Sequence, residues 1–273
     1  MKYVQIKGMN VELYDSIEDL PIMRFHKYNK MLLVDAGVGS DLSDLDRHIE
    51  KVIRYLNSPT PNMATVELEN MRQNIYFIQS EVSPRHLAFA VLVKSINGKP
   101  RNDLSDDGLQ QTMSLFKDVA NSEITAHLEA VKKKIDDELR LYFPRLFDDA
   151  TLKEYYDKLK QRTIVVLRTI IDGRATEADA KEIDDITAEL ITYFNPQTFT
   201  GSESVEIRHD RQFENMCLIL SQNLHVDPKK FTVLEYYNAF EYIKEQAKKA
   251  NKQKNGKIRR FPAFLFLGDK LHI

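Results

Sequence analysis

The segment Ala36-Gly-Val-Gly39-Ser40-Asp41 places two glycines just ahead of a helical pattern, where backbone N–H groups can face an anion. It lacks the third glycine of a dinucleotide loop and the lysine of a phosphate loop, and helix termination followed by recapping accounts for both glycines. Asp41, Asp44 and Asp46 cluster as cation ligands do, but the glycine and terminal glutamate of a calcium loop are missing. These acids suit the first turn of a helix, where the dipole favours them. His209-Asp210 has the form of the doublet in metal phosphohydrolases, yet the sequence offers no matching set of further ligands among its other histidines. Adjacent acids such as Asp136-Asp137 and Asp184-Asp185 arise by chance in a chain with 41 acidic residues, so they do not indicate acid–base catalysis. No nucleophile elbow is present, and Cys217 is the only cysteine. It sits among Met216, Leu218, Ile219 and Leu220, the setting of an inert buried thiol. We therefore expect no catalytic residue, no metal and no cofactor.

One charged feature stands apart. Lys244, Lys248, Lys249, Lys252, Lys254, Lys257, Arg259 and Arg260 face only Glu245 between positions 244 and 260, so this segment carries +7 within a chain of net −2. Such a run can neutralise phosphates or meet an acidic protein surface. It contains no aromatic side chain to stack on bases, which argues against sequence-specific reading of a single strand. The apolar tail behind it holds Phe261, Phe264, Leu265, Phe266 and Leu267, which must be covered by this chain or by another subunit.

The elements that would carry these residues are mostly helical. Glycine is scarce, 9 of 273, which favours helices joined by polar caps over many tight turns. Alternation over the first residues, Gly8, and the run Val11-Glu-Leu-Tyr14 predict an N-terminal hairpin. Pro21 opens a helix with Ile22, Phe25, Leu32, Leu33 and Ala36 at helical spacing. Ser40 or Asp41 caps the next, whose stripe is Leu42, Leu45, Ile49, Val52, Ile53 and Leu56, leaving Asp44, Arg47, Glu50, Lys51 and Arg54 for solvent. Thr60-Pro61 and Ser83-Pro84 start two more. Periodicity leaves the apolar run 87–93 open between helix and strand.

A polar stretch reaching Asp107 is the best loop or boundary, giving an expected division into 1–103, 104–260 and the tail 261–273. Beyond it, Ile124, Leu128, Val131, Ile135 and Leu139 line one helix face, and Val205 and Ile207 hint at a short strand before a helix capped by Asp210. Thr176-Glu-Ala-Asp179 and Thr232-Val-Leu-Glu235 open further helices. The expected fold is thus mainly α: a multi-helix body with a short N-terminal β-hairpin and minor strands. No signal-peptide pattern and no apolar run of membrane-spanning length is seen, so neither export nor membrane insertion is expected, and a single cysteine suits a reducing cytoplasm.

Two phrases carry a resemblance. The stretch from Ile17 to Asp41, and Asp227-Pro-Lys-Lys-Phe-Thr-Val-Leu-Glu-Tyr-Tyr-Asn-Ala-Phe-Glu-Tyr-Ile243, are similar in phrasing to structural-module, tail-assembly and connector proteins of tailed bacteriophages, crAss-like and other Bacteroidota phages especially. The resemblance implies a virion component or assembly factor, made in the host cytoplasm and joined to other virion proteins or to its own copies. Neck or tail ring, connector, packaged protein and tail chaperone are the kinds of role it implies. It brings no defined site, so no residue takes a role from it. The alternative expectation is a nucleic-acid-contacting protein that uses 244–260.

Overall fold

The structure, a computed structural model, describes residues 1–144, 150–174, 176–193 and 196–253. Among them the chain is mainly helical, with ten α-helices and one four-stranded antiparallel sheet near the N-terminus. Strands β1 (Lys2–Ile6) and β2 (Met9–Leu13) form the expected hairpin. Its two turn residues, Lys7 and Gly8, both take positive φ, as a turn that matches strand twist requires. Strand β3 (Val93–Ile96) pairs with β2, and a second turn at Asn97-Gly98 brings in β4 (Lys99–Pro100). Ile6, Val11, Leu13, Val93 and Ile96 bury the inner face of this sheet.

Helices α1 (Ile22–Gly37), α4 (Pro84–Leu92) and α6 (Asn121–Tyr142) pack beneath the sheet, with α5 (Asp106–Ser114) beside α4. The polar stretch expected to be loop as far as Asp107 instead yields to α5 at Asp106, because Ser105 accepts from the Gly108 N–H and caps it. The run 87–93 proves to be both of the open alternatives. Ser83 caps α4 and Pro84 fills its first turn, and the helix runs through Leu92, is buried from Ala88 onward, and turns extended at Val93. What ends it is tertiary. The buried Arg24 guanidinium of α1 donates to the Val91 oxygen at 2.7 Å and the Val93 oxygen at 3.1 Å, and also to the Arg101 carbonyl. The Tyr14 N–H takes the Leu92 carbonyl. Carbonyls that helix termini leave unpaired thus find partners from distant parts of the chain.

On α6 the stripe of Ile124, Leu128, Val131, Ile135 and Leu139 is buried as its spacing predicts. Helices α9 (Val205–Leu224) and α10 (Val233–Gln253) complete the principal core with Cys217, Leu220, Val233, Tyr236 and Ile243. The strand expected at Val205 and Ile207 is instead the first turn of α9. Ser204 caps it, accepting from the Ile207 N–H, so Asp210 lies inside the helix and not at its start. The beginnings of α1 and α10 are stitched together: Ile22 N–H donates to Phe231, and Val233 N–H to Leu20. The capping box at α10 is real, with Thr232 and Glu235 each accepting the other's N–H.

Two helical hairpins complete the described chain. Helices α2 (Leu42–Leu56) and α3 (Met63–Ser80) form one, and α7 (Ala150–Ile171) and α8 (Glu177–Tyr193) the other. The second is closed by Arg168, which bonds Asp179 and Glu182, and by Arg162 on Thr187. No helix among the described residues is long and apolar enough to cross a membrane.

Candidate functional site

The expected orientation of α2 is overturned in part: Arg47, Glu50 and Arg54 face solvent as expected, but Asp44 is buried and much of the apolar stripe is not. Its stripe points out: Leu42 is 67% exposed, Leu56 60%, Ile53 55% and Ile49 41%, with Leu45 and Val52 partly covered at its edge. The buried side instead holds Asp44, His48 and Tyr55. Helix α3 matches it with Glu67, Asn70 and Asn74 buried alongside Ala64. His48 Nδ1 lies 2.6 Å from Glu67 Oε2 and its Nε2 lies 2.9 Å from the Val38 oxygen. Both ring nitrogens face oxygen acceptors, so a proton sits between His48 and Glu67 as well as in the bond to Val38. Asn74 donates to the same Val38 carbonyl, Asn70 donates to Gln197, and Lys51 reaches Glu67 from the rim.

The Val38 carbonyl accounts for the inward His48 and Asn74, although the buried Oδ1 atoms of Asn70 and Asn74 have no hydrogen-bond partner among the described residues. The end of α1 leaves the Val38 carbonyl pointing at the hairpin, and only polar side chains can meet it without stranding a buried acceptor. The two glycines of the segment serve this junction and not an anion. A Cβ on Gly37 would sit 2.1 Å from the Phe199 ring, and Gly39, at φ +70°, backs directly onto the Asp44 side chain. Asp44 in turn accepts from the Ser40 N–H. The polar stripe was present in the sequence as Glu67, Asn70 and Asn74 at three- and four-residue spacing, but beside a strong apolar stripe on α2 it gave no reason to prefer the inward side.

A second cluster joins α1 to α9. His26 Nε2 is 2.8 Å from Asp210 Oδ1, and Lys30, one turn along α1, donates to Oδ2 of the same carboxylate at 2.9 Å. The His26 ring stacks between His209, 4.4 Å away, and Phe213, 4.1 Å away. Burial works against the Asp210 charge, but the hydrogen bonds from Lys30 and His26 outweigh it and hold the carboxyl below its ordinary range. Burial pulls His26 below the ordinary imidazole range, and burial together with the neighbouring His26 brings His209 to about 4, so the His209 ring is neutral at pH 7. His209 Nδ1 is buried without a hydrogen-bond partner.

His26, His209 and Asp210 offer donor atoms within 4.8 Å of one another, the grouping a divalent cation needs. The rings, however, lie 6° from parallel, so their in-plane lone pairs run side by side and do not converge. The Lys30 ammonium also holds the second Asp210 oxygen. The cluster therefore works as a polar clamp between two core helices. The His209-Asp210 doublet is visible in the sequence, but only the fold brings His26 to it.

A pH dependence follows. Because His209 is held neutral in the fold while the unfolded ring titrates near 6.5, the unfolded state binds more protons as pH falls. The contribution is full above pH ~6.5 and is lost on descending towards about 4. We expect unfolding free energy to be lower by about 2 kcal/mol at pH 4.5 than at pH 7.5. Replacing His209 by Phe should flatten that slope in denaturant titrations; an unchanged slope would refute the assignment.

The basic segment is placed in part. Lys244 is half-buried, bonded to Glu241 and set 5.6 Å from the centre of the Phe240 ring. Lys248 and Lys249 are exposed on α10, and Lys252 belongs to its last turn. Lys254, Lys257, Arg259 and Arg260, like Phe261, Phe264, Leu265, Phe266 and Leu267, lie outside the described residues. Cys217 is buried, and burial pushes its thiol up to about 11.

Comparison with protein-family models, with curated proteins and with solved structures finds no match to this chain.

Proposed function

We propose that this chain is a non-enzymatic structural or assembly subunit that acts through protein–protein contacts. Its setting is the virion of a tailed bacteriophage, as neck or tail ring, connector, packaged component or assembly chaperone, made in the host cytoplasm. The observation that carries the reading is the outward apolar stripe of α2, held in that orientation by a buried polar inner face. A patch of several large aliphatic side chains facing water is unfavourable unless another surface covers it, and a protein that keeps one is kept to be covered. The α7 hairpin repeats the theme with Ile164, Leu167, Ile170 and Ile171 exposed, so one chain offers more than one such face, as a subunit with several neighbours needs. The two phage-like phrases supply the kind of assembly.

The test is sedimentation of particles and assembly intermediates from cells infected with the phage that encodes the chain, followed by quantitative mass spectrometry of each fraction. A fixed copy number in particles or intermediates is expected. A chain confined to the free-protein fraction at every stage would overturn the reading.

A further inference from the structure

We infer that the α2–α3 junction holds an ordered water molecule that donates its two hydrogens to the side-chain oxygens of Asn70 and Asn74. Asn70 is 2% exposed and Asn74 0%, and the Oδ1 atom of each has no hydrogen-bond partner among the described residues. The two stand one turn apart on the inward side of α3, where side chains four residues apart lie next to each other. A buried amide oxygen without a donor loses its hydration and gains nothing in return. Two of them in one place call for a donor that the chain does not provide.

The donors already at the junction are engaged by other acceptors. Asn70 donates to the Gln197 carbonyl and Asn74 to that of Val38. Turning either amide over would set oxygen against oxygen, so both are fixed with Oδ1 away from those carbonyls. His48 is engaged at both ring nitrogens, by Glu67 and by Val38. Lys51 stays at the rim, 3.5 Å from Glu67. Beside the junction Val34, Val38, Phe199 and Val205 form an apolar cluster with Phe77 packed on it, and none of these side chains carries a donor.

Water is the ligand this chemistry selects. A buried water makes about three hydrogen bonds, and two of them can be the bonds these oxygens lack. A metal ion would need several oxygens, anionic ones among them, but both Glu67 oxygens are already engaged, by His48 and by Lys51. The Lys51 ammonium also places a positive charge close by, which disfavours a second cation. Among the described residues the one grouping of acid, imidazole and thiol donors close enough for a metal lies elsewhere, at His26, His209 and Asp210. With the water in place the inner face of the hairpin is satisfied as well as polar, so Glu67, Asn70 and Asn74 can all stay inside.

A crystal structure of the full chain, refined with its solvent, is the first test. It should show one water within about 3.2 Å of both Oδ1 atoms. Magnetic relaxation dispersion of the water oxygen gives the second, in solution. Asn70→Leu with Asn74→Leu should hold one long-lived water fewer than the wild type, whereas Lys51→Gln, at the rim, should hold the same number. If the leucine pair does not fold, the wild-type crystal structure decides alone. No shared water on the two oxygens, a side-chain donor seated there, or a metal ion in that place would overturn the inference. So would equal water counts in the wild type and the leucine pair. The assembly role is decided separately, by the composition of particles, and stands or falls without this water.

Discussion

His48→Ala should destabilise the protein by about 3–5 kcal/mol, close to half of what a domain of ordinary stability possesses. The cause is the charge left behind more than the contact removed. Glu67 is 2% exposed, and without the imidazole its carboxylate keeps only Lys51, 3.5 Å away at the rim, while Val38 keeps only Asn74. A buried carboxylate without a close partner must either take a proton or drag water into the junction. The control is a pair of apolar replacements, His48→Leu with Glu67→Met, which removes both charges together. It should recover most of the loss, because well-packed apolar groups of similar volume often match a buried ion pair in stability. Guanidinium denaturation of the two single variants and the double variant measures the coupling directly. Additive losses would show that His48 and Glu67 do not act as a unit.

Arg24→Met should cost about 3 kcal/mol, through a different mechanism. The guanidinium is buried and serves the Val91, Val93 and Arg101 carbonyls while lying 5.2 Å from the centre of the Tyr14 ring. Methionine fills much of the space but donates nothing, so carbonyls at the α4–β3 junction are left buried and unpaired, each at a cost of about 1–3 kcal/mol that partial relaxation reduces. Arg24→Lys should recover only part, because an ammonium on a flexible stem cannot hold three acceptors in the fixed directions of a planar fork. The readout is equilibrium unfolding together with amide exchange across residues 88–96, where protection should fall first. A loss of stability with protection unchanged there would place the role of Arg24 elsewhere.

What the sequence determined by itself was local. Serine and threonine side chains announce helix starts at Ser83, Thr176 and Thr232 because a cap needs only three residues of chain to form. Gly8 and Asn97-Gly98 mark their turns because glycine, and asparagine to a lesser degree, takes positive φ at little steric cost. The stripe of α6 reads correctly because Ile124, Leu128, Val131, Ile135 and Leu139 form an apolar face with no polar side chain among its buried residues. Fold class, mainly α with a small N-terminal sheet, follows from these signals.

Only the tertiary structure decided which side of α2 faces in. An amphipathic helix shows an apolar and a charged side, but it was the Val38 carbonyl at the end of α1 that drew in a third side carrying His48, leaving Arg47, Glu50 and Arg54 in water. The same holds where α4 turns into β3, since the donors that end the helix come from Arg24 and Tyr14, far back in the chain. Ser204, and not Asp210, opens α9, which sets Asp210 two turns in and places it on His26, 184 residues away. No local pattern can encode such a meeting. Hydrogen bonding is satisfied by whatever the folded chain brings near, and that is settled only when the whole core closes.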